Sequence, residues 1–143
     1  MTKKTHLLFS AISSVVVVVA IIWGVVVVGS PAKARVQRFD HQRLEDLRTI
    51  FREVQSLCQD PDMKNELKRA LPETLDELAV QARTERIKLT EPESDQRYEY
   101  VVTDETTYEL CATFSLTRDS DVDVFWNHPS GKHCFIVDAL DPP

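Results

Sequence analysis

Glycine is scarce in this chain, three residues among 143, and two of them, Gly24 and Gly29, lie in or beside one apolar run. Phosphate and nucleotide cradles use several glycines to bring backbone N–H groups close to an anion, so composition argues against that class of function. A nucleophile elbow is missing too. Ser130 stands near His128 and His133 with acids about it, but without the glycine-flanked turn or donor loop that would activate it, and no catalytic residue is assigned. Cysteine is limited to Cys58, Cys111 and Cys134. The fragment from His128 to Cys134 lacks a C-x-x-C-H pattern, and no second cysteine pair stands at zinc-finger spacing. An excess of basic residues is absent as well: the formal charge is -6, and beyond Gln59 acids outnumber bases by about two to one. That balance argues against nucleic acid as a partner. No internal repeat is present, and no acid occurs between Met1 and Gly29.

What the chain has is a stretch from Leu7 to Gly29, twenty-three residues without a charge, followed by Ser30, Pro31 and the basic residues Lys33, Arg35 and Arg38. About 20 apolar residues span a hydrocarbon core of about 30 Å as a helix. Valine suits strands by propensity, but a lone strand in lipid leaves its backbone unpaired, so a helix is expected. The lipid bilayer is thus the first expected partner, with the three basic residues placed to meet headgroups. A cleaved signal peptide is the competing reading. Its apolar region is usually about 7 to 15 residues, shorter than this one, and proline occupies the middle of Ser30-Pro31-Ala32, a poor cleavage site. A retained signal anchor over residues 1–30 is the favoured reading.

Beyond the anchor, Pro31 suits the first turn of a new helix with Ser30 as its cap. Leu44, Leu47, Phe51, Val54 and Cys58 form one stripe of an amphipathic helix over 31–58. Arg38, Arg43, Glu45, Arg48, Arg52 and Glu53 are expected on its opposite, solvated face. Short helices are expected over 62–70, after Asp60-Pro61, and over 74–82, with a brief strand at 86–89. From Tyr98 the period becomes two. Tyr98, Tyr100 and Val102 form one strand face, and Tyr108, Leu110, Ala112, Phe114 and Leu116 another. Residues 122–126 are a possible third strand and 133–138 the last. The expected fold is α+β, with the amphipathic helix packed on an antiparallel sheet of three or four strands. Residues 59–143 join 31–58 in one soluble domain.

The apolar phase of their strands turns Cys111 and Cys134 to the same outer sheet face. Adjacent strands would bring them within the 5.5–6 Å Cα spacing of a disulfide. A bridge between them is favoured over free thiols. Cys58 lies in the helix stripe and is expected to be a buried free thiol, with a bridge between two chains as the alternative. Trp126, His128 and His133 form a weak candidate binding loop. Adding Cys111 and Cys134 would supply zinc ligands, although His133 and Cys134 should point to opposite faces.

Four segments carry a family resemblance: DHQRLEDLRTI at 40–50, LPETLDEL at 71–78, QRYEYVVTDETTYELCATF at 96–114 and WNHPSGKHCFIVD at 126–138. With the anchor before them, they resemble short bacterial single-pass proteins whose outer domain is similar to major pseudopilins of type II secretion and to type IV pilins. The resemblance implies an envelope location and a non-catalytic structural or assembly role, with the chain itself or other envelope proteins as partners. The pilin processing glycine and the glutamate near the start of the apolar helix have no counterpart. Major pseudopilins often bind calcium near the last strands. Here Asp119, Asp121 and Asp123 are the better candidate and Glu91, Glu93 and Asp95 the poorer, neither with the spacing of a complete calcium loop. No cofactor is expected. Positive charges after the anchor favour a cytoplasmic domain; the cysteines and the resemblance favour an extracytoplasmic one, which is the orientation expected. The competing function is a membrane-tethered ligand-binding or redox-linked domain acting through the Trp126–Cys134 loop.

Overall fold

The computed structural model describes residues 3–28, 30–59, 66–82 and 86–142. They divide into two compact units, Met1–Arg35 and Val36–Pro143. In the first unit, helix α1 runs Lys3–Val28. Valine and isoleucine are modest helix formers in water, but in hydrocarbon a segment must satisfy its own N–H groups, which a helix does. At about 1.5 Å per residue it is about 39 Å long, more than the hydrocarbon thickness. Its large apolar side chains from Leu7 to Val26 are exposed. By length and composition it is the candidate membrane span among the described residues. The Ser14 hydroxyl donates to the Ser10 carbonyl at 3.0 Å, so this polar group is satisfied within the helix. Gly29 lies outside the described residues. Helix α2, Pro31–Cys58, begins at the expected proline, and the Ala34 N–H donates to the Ser30 carbonyl at 3.2 Å.

The second unit holds the rest of α2, the short helix α3 (Leu75–Gln81) and three strands: β1 (Glu99–Val102), β2 (Thr107–Phe114) and β3 (Gly131–Asp138). The strands form an antiparallel sheet in the order β1-β2-β3. Together with the apolar helix this is the expected pilin-like α+β arrangement. Leu44, Leu47, Ile50, Val54 and Cys58 of α2 and Leu75 and Leu78 of α3 share one core with Tyr108, Leu110, Phe114, Phe135 and Val137 of the sheet. Helix α3 is set by its first turn. The Thr74 hydroxyl accepts from the Glu77 N–H at 3.2 Å, while Glu77 reaches back to accept from the Glu73 N–H at 2.9 Å. Gly131 starts β3 with a φ of +98°, a conformation costly to residues with a Cβ.

Several expectations are corrected. The helix expected over 62–70 falls partly outside the described residues, and residues 66–70 are not helical. Residues 86–89 form no strand. The chain touches β geometry only at the Thr90–Arg97 bridge, because the turn over 92–94 folds it back at once and closes with Glu91 N–H to the Gln96 carbonyl at 2.7 Å. Residues 122–126 are not a strand either: Val124–Trp126 is a 3₁₀ turn. Strand alternation would send Phe125 and Trp126 to opposite faces, whereas the turn brings both rings against Phe135, at 5.9 and 4.9 Å. Val122 and Val124 are left exposed as a result.

The largest departure concerns the face of α2 expected to be solvated. Arg38 and Arg52 are exposed, and Glu45 and Arg48 half-buried, but Arg43 and Glu53 are buried. Strand β1 is shorter than β2, so it leaves the far end of β2 without a neighbour. The Thr107 carbonyl accepts from the Thr103 N–H on the β1 side, and by alternation the N–H groups of Thr113 and Ser115 point that way too. Carboxylates take the missing strand's place. Glu91 accepts from the Thr113 N–H at 3.1 Å, and Asp40 accepts from the N–H groups of Ser115 and Leu116 at 2.9 and 2.8 Å. Arg43 neutralises both, at 2.8 Å from Asp40 and 3.3 Å from Glu91, and adds Glu93 at 3.2 Å. Burial alone would lower the arginine pKa. Its bonds to Glu93 and Asp40 and the charge of Glu91 outweigh burial and raise it.

Removing Arg43 strands two buried carboxylates. Arg43→Ala should therefore lower the unfolding free energy of the head by about 3–5 kcal/mol, read by urea titration of detergent-solubilised protein with near-UV circular dichroism. Arg97→Ala, which breaks the exposed 2.6 Å pair with Asp76, should cost about 0–1 kcal/mol in the same measurement.

Candidate functional site

Register places Cys111 directly opposite Cys134 in neighbouring strands, and the two are joined as a disulfide. Their Cα atoms are 4.0 Å apart, closer than the 5.5–6 Å spacing the sequence suggested. The pair turns its backbone bonds away from the shared ladder, the kind of antiparallel position in which Cα atoms approach most closely. Glu109, on the same face of β2, brings a carboxylate oxygen to within 4.8 Å of both sulfurs, the one such potential metal cluster among the described residues. The sulfurs are spent in their own bond, so this group offers no thiolate to a metal. Cys58 is free and wholly buried, its sulfur 3.7 Å from the Ala70 carbonyl. Burial pushes its thiol pKa up, against a smaller lowering by Arg69. A bridge between two chains through Cys58 is closed off by that burial.

The candidate loop residues do gather, but around a phenylalanine. Phe135 has the Trp126 ring at 4.9 Å, the His133 ring at 4.8 Å and the His128 ring at 6.4 Å. His128 lies stacked on Phe114 with ring centres 3.6 Å apart. Trp126 also packs edge-on against Phe51 and lies under the Arg48 guanidinium at 5.5 Å. Cys134 points to the outer face into its disulfide, away from these rings. The aspartates of the later turn do not converge. Asp119 and Asp121 are exposed, while Asp123 pairs with Arg48 and, at 2.7 Å, with Arg118. Of the earlier trio, Glu91 and Glu93 are taken by Arg43, and Asp95 sits at positive φ in the turn.

A cleft of about 320 Å³ lies where the start of α2 meets the segment after β2. Asp40, His41, Arg118, Asp119 and His128 are its ionisable walls. Asp40 is committed to Arg43 and β2, and Arg118 to Asp123. The backbone of His128 pairs with that of Arg118 in both directions, at 2.8 and 3.1 Å. The His128 Nδ1 lies 3.1 Å from the Pro129 carbonyl and donates to it, which leaves Nε2 with the lone pair when the ring is neutral. Burial lowers the His128 pKa, only partly offset by the Pro129 bond and the charge of Asp40. The cleft thus presents an imidazole fixed by the Pro129 carbonyl, beside an Asp40 and an Arg118 already engaged with other residues.

Asp40, Arg43, Glu91 and Glu93 are the charged residues the sequence reading did not single out together. The i, i+3 spacing of Asp40 and Arg43, with Arg43 next to Leu44 at the margin of the apolar stripe, was the available signal.

Two outcomes follow from this geometry. Without reductant none of the three cysteines should react with a maleimide in the folded protein. After reduction Cys111 and Cys134 should label, and Cys58 only on unfolding, as read by intact mass. The unfolded chain protonates His128 more readily than the folded head does. The stability tied to this ring is therefore complete above the unfolded value of about 6.5 and is lost as the pH falls through it. His128→Phe keeps the stack on Phe114 and should show a smaller loss of thermal stability between about pH 7.5 and 5.5 than the unaltered chain.

No family model, curated protein or solved structure matches this chain. The architecture itself, a long apolar N-terminal helix with a second helix and a small antiparallel sheet, is of the general pilin-like α+β kind and belongs to no one family by that likeness.

Proposed function

We propose that this chain is a non-catalytic, membrane-anchored structural or accessory subunit of an envelope assembly of the secretion or pilus kind, with its head outside the cytoplasm. The observation that carries the reading is α1: from Leu7 to Val28 it carries no charge, its large apolar side chains from Leu7 to Val26 are exposed, and it precedes a pilin-like head. In the head, the side chains that carry chemistry are largely consumed by packing. The carboxylates Asp40 and Glu91 complete a sheet, His128 and His133 join an aromatic cluster, and two cysteines bond each other. The disulfide supports the extracytoplasmic side, since such bonds persist in oxidising compartments. The competing reading, a tethered ligand-binding or redox-linked domain acting through the Trp126–Cys134 loop, loses ground for the same reason. Trp126, His128 and His133 pack on Phe135 and Phe114.

The chain should remain with the membrane after alkaline carbonate washing and be released by detergent. Protease added outside intact spheroplasts should degrade the head. Release by carbonate alone would remove the anchor from this reading, and a head protected until the cells are lysed would reverse its side.

A further inference from the structure

Strand β3 forms an edge of the sheet, and among the described residues no strand lies beyond it. The ladder identifies its free groups. The Ala139 N–H donates to the Thr106 carbonyl on the β2 side, and alternation gives the same direction to Val137, Phe135, His133 and Gly131. Lys132, Cys134, Ile136 and Asp138 therefore turn their N–H and C=O groups outward. Their side chains share the outer face, where Ile136 is 63 % exposed and Lys132 and Asp138 are exposed. Proteins usually blunt a long edge with charged side chains, proline, a bulge or a covering element, and here only the charges Lys132 and Asp138 are present among these along the strand itself. From Gly131 to Asp138 there is no proline, and the pairing with β2 runs through all eight residues without a bulge.

We propose that a second copy of this chain docks on this edge, β3 against β3 in antiparallel register, with Phe135 opposite Phe135 at the two-fold axis. The strand is complementary to itself in that register. Lys132 stands opposite the second copy's Asp138, Asp138 opposite its Lys132, and Ile136 opposite its Cys134. Every outward N–H and C=O then falls in a hydrogen-bonded pair, and opposite charges meet directly across the strands. A slip of two residues unpairs the charges, and a slip of one sets outward groups against inward ones. Lys132 already lies 2.7 Å from Glu99, but that pair is exposed on both sides and is readily shared. Asp138 accepts from the Leu140 N–H through Oδ1 at 2.9 Å, which leaves Oδ2 for the new partner. The proposal rests on the structural-subunit reading and names one surface and one partner for it.

The test uses full-length protein in detergent micelles, where two anchors need not enter one bilayer side by side. Chains carrying Lys132→Cys and chains carrying Asp138→Cys are treated with an oxidant, separately and mixed. A cross-linked dimer is expected only in the mixture, since like positions lie about 20 Å apart across the two-fold axis. Ile136→Pro, added to both chains, deletes one outward N–H without touching the β2 ladder and should abolish the cross-link. Ile136→Thr keeps that N–H and should retain it. Retention of the Cys111–Cys134 bond and of the near-UV spectrum shows that each variant is folded. No cross-link between folded chains, an equal yield from either chain alone, or indifference to the proline would overturn the proposal. If it falls while the chain still cross-links to other envelope proteins in cells, the structural-subunit reading stands without it.

Discussion

One strand being shorter than its neighbour sets the terms for much of the head. β2 extends past the end of β1, and the amide groups left there need acceptors. A carboxylate from the start of the amphipathic helix and another from the 90–96 turn supply them. Burying two anions costs several kcal/mol each unless a cation shares the site. Arg43 therefore comes with the arrangement rather than as an ornament to it. The same bonds fix which part of α2 lies against which end of the sheet. They also place the turn carrying Glu91 and Glu93 over the helix. The segment after β2 then starts from a backbone held at Ser115 and Leu116, and the cleft beside His128 takes its walls from that segment.

The sheet has two unlike faces, and the difference explains why a fragment rich in histidine, tryptophan and cysteine is mostly architecture. The inner face collects rings around Phe135, and the 3₁₀ turn lets two successive aromatic residues join it. The outer face carries the disulfide and a scatter of exposed charges and aliphatics. Neighbouring strand residues such as His133 and Cys134 thus belong to separate environments, although they are adjacent in sequence.

Those parts of the fold that depend on local pattern are legible in the sequence. An uncharged run of that length fixes α1, and a proline after a serine marks the start of α2. The helical spacing of Leu75, Leu78, Ala79 and Ala82 marks α3, and strict alternation through Tyr108, Leu110, Ala112 and Phe114 sets β2 and the face shared by the two bridged cysteines. What stayed hidden depends on distant partners. Periodicity assigns Arg43 to the polar side of its helix because arginine is polar; only the acids some fifty residues later make its burial affordable. The segment 122–126 has the composition of a strand, and its departure from one is dictated by Phe135, which follows it. Val122 and Val124 misled for the same reason, since their exposure is the cost of seating Phe125 and Trp126.

The bond between Cys111 and Cys134 encloses the aspartate turn, the 3₁₀ turn and the histidine bridge within a closed covalent ring. Val122 at the tip of that ring is almost fully solvent-facing, an inviting place for a peptidase. A cut there would open the chain without parting it. The two fragments would stay fastened through sulfur, running as one species until a thiol separated them, so the head can be nicked at this exposed turn and still keep β3 beside β2.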